Sequence, residues 1–451
     1  MTAAGGLFFP QAKSLGIDQS ETSPALLAKI TYAGTASRSF AEASALLKQL
    51  ADLPTPEKQV ERLTRRIGAE RVAERQAAVA AFAALPLAEK FAAPSCVTPP
   101  ELAVVMVDGG RLQIRDAPQD STLPASATAA KAADKTTLAQ TEEWEEAEVA
   151  CRSGHWREDK VGLLLTMTSA AMALDPCPEI PASFLDVVRI PKLVRELKKH
   201  VKEGEDGVAE AGEPEAAAET LAEETNYRPP KVGHRQVVAS RQSWPVFAVH
   251  LAQAAWASGL QQAARKAFVG DGSANNWKLQ RRWFGAFTAI LDFIHALSYV
   301  FAAAMAGRRF AAGWAVYEQW IGWVWQGRVN EVIAALEARQ AELGAASEDE
   351  PETSPRRLVA RTLTYLGNHQ DKMHYDDYRR QGLPITSSHV ESAVKQINQR
   401  VKGTEKFWSE DGSEAVLQLR ADYLSDGEPL EAFWQRRQEA ATGQRSYRRV
   451  G

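Results

Sequence analysis

Three carboxylates and an Asp-x-x-His pair stand where a fold most easily gathers side chains into a site. Asp108 follows the apolar run LAVVMV, Asp271 follows KAFVG, and Glu391 lies near the start of the helical stretch SSHVESAVKQINQRV. Asp292 and His295 stand at the exit of another apolar run, Ala286 to Phe293. Strand ends on one sheet edge converge. Acidic groups brought together there repel unless cations neutralise them, which makes Asp108, Asp271 and Glu391 candidate ligands of a divalent metal. Hard oxygen donors favour Mg²⁺ or Mn²⁺ over zinc. Two such ions roughly 3.5 to 4 Å apart activate an attacking oxygen and stabilise a leaving one in phosphoryl displacement. His295 is placed either to orient a phosphate or carry a proton, or to sit as a core residue beside a strand.

The stretch that carries Glu391 is itself a helix with two stripes. Val390, Val394, Ile397 and Val401 recur at i, i+4, i+7 and i+11, an apolar face that requires a core. Glu391, Lys395, Asn398 and Lys402 recur one residue along, so the polar line runs beside the buried stripe and not opposite it. A carboxylate, an amide and two ammonium groups in line suit a metal and a polyanion. Lys395 and Lys402 are candidate phosphate contacts. The competing reading makes Ser388-x-x-Glu391 a capping box and the lysines merely solvated.

The elements that must position these groups are legible in part. The 451 residues are enough for two or three domains, and a net charge of -4 with pI about 6.1 advertises no global affinity for nucleic acid. Three cysteines without a CxxC pair argue against zinc and disulfides and for a reducing cytoplasm. The start lacks a signal-peptide core, and the most apolar segment, 283–307, contains Asp292 and His295, so no membrane span is expected.

Residues 1–98 read as helical. Ser39-x-x-Glu42 caps a helix to about Ala51; Thr55 and Pro56 start a second, ending at Gly68, with Lys58, Arg62 and Arg65 on its outer side. Two helices across a tight turn, the second basic outside, resemble a DNA-binding helix-turn-helix, or an ordinary hairpin with a solvated face. From Leu102, the run LAVVMV, the Gly109-Gly110 pair and RLQIR predict a β-hairpin with Asp108 at its turn. VGLLLTM is a further strand, Trp244 to Ala264 a helix, and KAFVG, a helix at 277–283 and 286–293 form a strand-helix-strand unit of the parallel type. Residues 117–150 and 202–226 read as flexible inserts, 296–382 as all helix with a tryptophan cluster, and 436–451 as a basic tail. The tryptophans, Trp314, Trp320, Trp323 and Trp325, serve either as core or as stacking faces for an unpaired base.

The order of these elements, with VMVDGG, VGDGSANNW, LDFIHA and GLPITSSHVESAVKQINQRVKGTEKFW, resembles a DDE transposase of the ribonuclease-H-like superfamily, specifically the bacterial insertion-sequence group called ISKra. The resemblance covers the chain to about residue 435. It implies an α/β ribonuclease-H-like mixed sheet core, residues 99–295 and 383–435, interrupted by the helical insertion. It implies Asp108, Asp271 and Glu391 as the metal-binding triad on Mg²⁺ or Mn²⁺, with Asp292 and His295 matching an accessory [C/D]-x-x-H. The implied activity is cleavage at insertion-sequence ends and strand transfer to target DNA. The implied partners are terminal inverted repeats, target DNA and a second copy on DNA, in a cytoplasmic, nucleoid-associated setting. A ribonuclease-H-like nuclease or resolvase that cuts without joining, and a silent DNA-binding protein, remain the other classes.

Overall fold

The apolar run Leu102 to Val107 is buried residue by residue, which requires cover on both faces of the strand it forms. The computed structural model describes residues 22–115, 155–202, 227–347, 349–403 and 406–442, and shows how that cover is built. The expected inserts at 117–150 and 202–226 lie almost wholly outside these residues, as does the tail beyond 442.

Helices α1 (Pro24–Ala36), α2 (Phe40–Ala51) and α3 (Glu57–Ala84) open the described chain, followed by the short α4 (Leu87–Lys90). Ser39 caps α2 as its sequence dictates, its hydroxyl accepting from the Glu42 N–H at 3.0 Å, while Glu42 accepts from the Arg38 N–H at 2.7 Å. α3 departs from expectation at both ends. Its cap is Pro56 and not Thr55, and it runs for 28 residues instead of stopping at Gly68. Gly68 is a packing residue. A Cβ there would lie 2.5 Å from the Ala415 carbonyl oxygen, so the missing side chain lets α3 rest on a much later helix. Leu27, Ile30, Val60, Leu63 and Ile67 accordingly belong to the same buried cluster as the strands.

Strand β1 (Leu102–Ile114) corrects a second expectation, because it passes straight through Asp108-Gly109-Gly110 without turning. Its antiparallel partner is the distant β2 (Trp156–Thr168), in unbroken register from Leu102↔Met167 to Gln113↔Trp156. Gly110 is small because Asp159 lies across from it: a Cβ would stand 2.8 Å from both Asp159 carboxylate oxygens. Helix α5 (Arg189–Lys202) and strand β3 (Lys231–Ser240) come next, the latter without a counterpart in the sequence reading. Helix α6 (Trp244–Ala257) ends short of Ala264, at a left-handed Gly259 and a 3-10 turn. Then come β4 (Arg265–Gly270), α7 (Ala274–Trp283) and β5 (Thr288–Leu291), the expected strand-helix-strand unit.

The interval before Glu391 is helical among the described residues: α8 (Phe293–Met305), α9 (Phe310–Trp325), α10 (Val329–Leu343), α11 (Pro355–His369) and α12 (Tyr375–Arg380), with one 3-10 turn. Trp314, Trp320 and Trp325 are buried there, so they are core. The chain closes with α13 (Ser388–Val401), a two-residue β6 (Phe407–Trp408), α14 (Glu410–Leu424) and α15 (Pro429–Thr442). Arg436 and Arg437, expected in a basic tail, sit on α15 and pair with Glu74 and Glu70 of α3 at 2.5 and 2.6 Å.

The strands form one mixed sheet in the order β3-β2-β1-β4-β5, with β6 on the end of β1. β2 runs antiparallel to both β1 and β3, while β4 and β5 run parallel to β1. Alternation along β2 sends Gly162 towards Leu251 of α6 and Asp159 to the opposite face. There α13 packs on β1 and β2, and α14 on β3. No helix among the described residues is long and apolar enough to cross a membrane.

Candidate functional site

Register assembles the site. β1 and β4 pair Met106 with Val269, so two residues further on Asp108 is level with Asp271. β4 and β5 pair Gly270 with Leu291, so Asp271 is in turn level with Asp292, whose N–H donates to the Gly270 carbonyl at 2.8 Å. Three aspartates thus form a row where three neighbouring parallel strands reach the same edge. Ligand sites of open α/β sheets lie at such carboxyl ends.

Each aspartate is held differently. Asp271 accepts from the Ser273 N–H and the Asn276 side-chain amide, both at 2.9 Å, and the same amide reaches the Val107 carbonyl at 3.2 Å. Asn276 therefore ties the Asp271 turn to β1 just before Asp108. The insertion also reaches this turn: the Tyr365 hydroxyl of α11 donates to the Asp271 carbonyl at 2.7 Å, and its ring stacks on Tyr299 of α8. Asn276 and Tyr365 carried no role in the sequence reading. Asn276 was visible within the quoted VGDGSANNW, whereas nothing near Tyr365 marks it, since its contact depends on the packing of α11.

Asp292 is fully buried and caps α8. It accepts from the His295 N–H at 2.9 Å, meets His295 Nδ1 at 2.6 Å, and accepts from the Ser387 N–H at 2.8 Å. The last bond, with Phe293 N–H to the Ile385 carbonyl at 2.9 Å, fastens the approach to α13 onto the end of β5. Glu391 follows one turn later. Ser387, not Ser388, occupies the cap position, and it makes no side-chain capping bond; its hydroxyl meets Glu391 Oε1 at 3.5 Å instead. The capping-box reading of Ser388 and Glu391 therefore fails, since Ser388 is already inside the helix.

The electrostatics fit a crowded acidic site. Burial, followed by the charges of Asp271 and Glu391, pushes the Asp108 carboxyl up to about 7. Burial and then Asp292 raise Glu391, against the pull of His295 and Lys395. Burial disfavours a charged His295, but its hydrogen bond to Asp292 and the charges of Asp292, Asp271 and Glu391 outweigh that and raise it to about 10. The acidic neighbours thus favour a charged His295 as long as no cation neutralises them.

Glu391, Asp292 and His295 bring one ligand atom each within 4.8 Å of one another, a group able to hold a metal ion. Asp108 and Asp271 stand outside that group, on the next two strands. The group gathered to ligating distance is therefore Glu391 with the accessory pair Asp292 and His295, and not the expected triad of Asp108, Asp271 and Glu391; the Ser387–Asp292 bond sets the start of α13 there. The donors suit a hard cation: carboxylates predominate, and Asp108 and Glu391 are raised first by burial and then by neighbouring carboxylates, a charge that a divalent ion offsets.

The expected phosphate contacts divide. Lys395 stands close enough to Glu391 to lower its proton affinity, while Lys402 ends α13 with its ammonium 5.7 Å from the Trp156 ring centre. On α3, Lys58 pairs loosely with Glu61 at 3.7 Å, Arg62 is exposed, and Arg65 turns inward, 2.9 Å from Glu61 and over Trp408. Arg65 is therefore a packing residue and not part of an outward basic face. Comparison with protein-family models, curated proteins and solved structures finds no match to this chain.

Proposed function

We propose that this chain is a ribonuclease-H-like DNA transposase that cleaves insertion-sequence ends and joins them to target DNA. The observation that carries the reading is the level row of Asp108, Asp271 and Asp292 at one strand edge, with Glu391 delivered to it by α13 across a helical insertion. The mixed sheet and the insertion's place in the chain agree with the ribonuclease-H-like resemblance.

Asp108, Asp271 and Glu391 would hold Mg²⁺ or Mn²⁺, which when bound supplies activation of an attacking oxygen and charge neutralisation on the phosphate. The protein's own contributions are positional. Asn276 and Ser273 fix Asp271, and Asp292 orients the His295 ring beside Glu391. Protonated, His295 would stabilise negative charge developing on a phosphodiester or give a proton to the departing oxygen. The same sites serve cleavage by water and attack by a freed 3′-hydroxyl, so no covalent protein intermediate is required. Two ends must be held together, which makes a dimer on DNA the working assembly.

The test is an in-vitro reaction with Mg²⁺, DNA carrying the inverted repeats that flank the gene, and a target plasmid. Cleavage at the repeats and joined products are expected. Cleavage without joining of pre-cut ends indicates a nuclease or resolvase, and binding without any nicking indicates a silent DNA-binding protein.

A further inference from the structure

A second charged locus lies at the other end of α13, half a helical turn around from Glu391. A cavity of about 220 Å³ opens between the end of α1, the first turns of α2, the end of α13 and α14, lined by Ala36, Ser37, Arg38, Glu42, Gln399, Arg400 and Arg420 among others. Arg400 is almost wholly buried, stacked 4.2 Å from the Phe40 ring centre and donating to the Gly34 carbonyl at 3.0 and 3.1 Å. Arg420 donates to the carbonyls of Thr35 and Ala36, and Lys406 to those of Arg38, Gln399 and Arg400.

The economical account is that these cations cap the carbonyl end of α1. A helix end, however, offers only about half a negative charge. Among the described residues Glu42 is the only carboxylate in the lining, against Arg38, Arg400 and Arg420, with Lys406 behind them. The excess shows in the groups themselves: burial and neighbouring arginines lower Arg400 to about 10, and burial followed by Arg400 lowers Lys406 to about 8. Arg38 is exposed and makes no ion pair among the described residues. Ser37, in the lining, is buried with its hydroxyl lacking a hydrogen-bond partner. Positive charge that exceeds the carboxylates acting on it among the described residues, Glu42 in the lining and Glu61 on Arg400, and a buried hydroxyl without a partner call for the same kind of ligand, an oxyanion.

We infer that this cavity binds a backbone phosphate of DNA, as a sequence-independent anchor remote from the chemistry. The cavity is smaller than the roughly 300–1,000 Å³ typical of small-molecule sites, so it suits a phosphodiester group better than a whole ligand. Its lining offers guanidinium groups and a hydroxyl but no free ring face for a base, which is the pattern of backbone contact. Arg400 follows Glu391 by nine residues, so about 14 Å of helix and half a turn separate the two loci. The anchored phosphate therefore belongs to DNA flanking the reacting strand, or to a second duplex. This inference rests on the proposed DNA-processing function.

The test compares Arg38→Glu with Lys48→Glu, which makes the same charge change on an exposed position of α2 outside the cavity lining. Binding of a fluorescent duplex of arbitrary sequence is followed by anisotropy across a salt series, beside nicking of end-bearing DNA by the parent protein with Mg²⁺. Arg38→Glu is expected to weaken binding several-fold and to flatten the logarithmic salt dependence by about one unit, with Lys48→Glu close to parent. Gln399→Glu, at the opposite rim, should weaken it in the same direction. Equal losses in Arg38→Glu and Lys48→Glu, or none in either, overturn the anchor. So does stabilisation of the parent but not of Arg38→Glu by pyrophosphate with DNA binding unchanged, because the cavity then holds a free phosphorylated ligand. A parent that nicks DNA while Arg38→Glu binds normally loses the anchor and keeps the transposase reading; one that binds through Arg38 yet never nicks does the reverse.

Discussion

Two glutamates, Glu414 buried and Glu391 half-buried, each in the early turns of a helix packed on the same face of the sheet, have opposite surroundings. Glu414 on α14 accepts from Arg75 at 2.5 Å, from the Ser240 hydroxyl at 2.7 Å and from the Arg241 N–H at 3.0 Å. Burial alone would raise it, but Arg75 and these bonds hold it below the ordinary carboxylate range. Glu391 on α13 has a single long contact with Ser387 and faces Asp292, and it is raised. A carboxylate matched with an arginine joins parts of a fold. One set against other carboxylates costs the fold stability unless a bound cation offsets the charge.

The largest effect expected from breaking this contrast is on chemistry. Glu391→Gln keeps the size of the side chain and removes its charge, so Mg²⁺-dependent nicking and strand transfer should fall a hundredfold or more, with thermal stability near parent. Nicking at the parental rate would reduce Glu391 to a helix residue and remove the third ligand from the triad.

Glu414→Gln should do the opposite. It leaves Arg75 buried without its partner charge, and about 3–5 kcal/mol of stability is expected to go, read by urea denaturation. The pH dependence follows from the lowered Glu414: its contribution is complete above the unfolded value near 4.5 and is lost as pH falls through the folded one. A variant as stable as parent at neutral pH would show that Arg75 and Glu414 contribute no net energy.

Asp159 sharpens the comparison, being a fully buried carboxylate whose two oxygens have no hydrogen-bond partner. Burial pushes it up to about 7, against the pull of Lys160. Between about 4 and 7 the folded chain therefore keeps a proton that the unfolded chain releases, and stability falls as pH rises through that window. Asp159→Asn removes the penalty. Its stability relative to parent should rise by about 2–4 kcal/mol between pH 5 and pH 8, compared by denaturation at each. Parallel pH profiles for the two proteins would mean that Asp159 is stabilised by something other than a proton.

Asp159 also shows where sequence reasoning reached its limit. The strand-helix-strand unit ending in Asp271, Asp292 and His295 was legible because apolar runs of strand length end there, and the α13 stripe was legible because Val390, Val394, Ile397 and Val401 keep helical spacing. Gly109-Gly110 misled because a glycine pair after an apolar run has the composition of a turn, whereas Gly110 is small to admit Asp159 from a strand more than forty residues away. Gly68 misled for the same physical reason, its neighbour being Ala415. Strand β3 escaped notice because KVGHRQ is exposed and polar, with its apolar half, Val237 to Ala239, too short to stand out. Local pattern reports a residue's own conformation; it does not report what lies across from it.

The smallest effect concerns the two lysines of the α13 stripe, which the sequence treats alike and the structure separates. Lys395 stands beside Glu391, where it lowers that carboxyl's proton affinity. Lys402 lies two turns on, over the Trp156 ring, and its charge bears on Asp159 instead. Lys395→Ala should weaken DNA binding a few-fold and flatten its logarithmic salt dependence by about one unit, the signature of one lost phosphate contact. Lys402→Ala should leave that slope unchanged and move the Asp159 proton affinity further up, extending the pH-dependent loss of stability to higher pH. If both substitutions flatten the slope equally, the whole stripe follows a phosphate backbone; if neither does, DNA approaches Glu391 from the side of the insertion, where Tyr365 already touches the Asp271 turn.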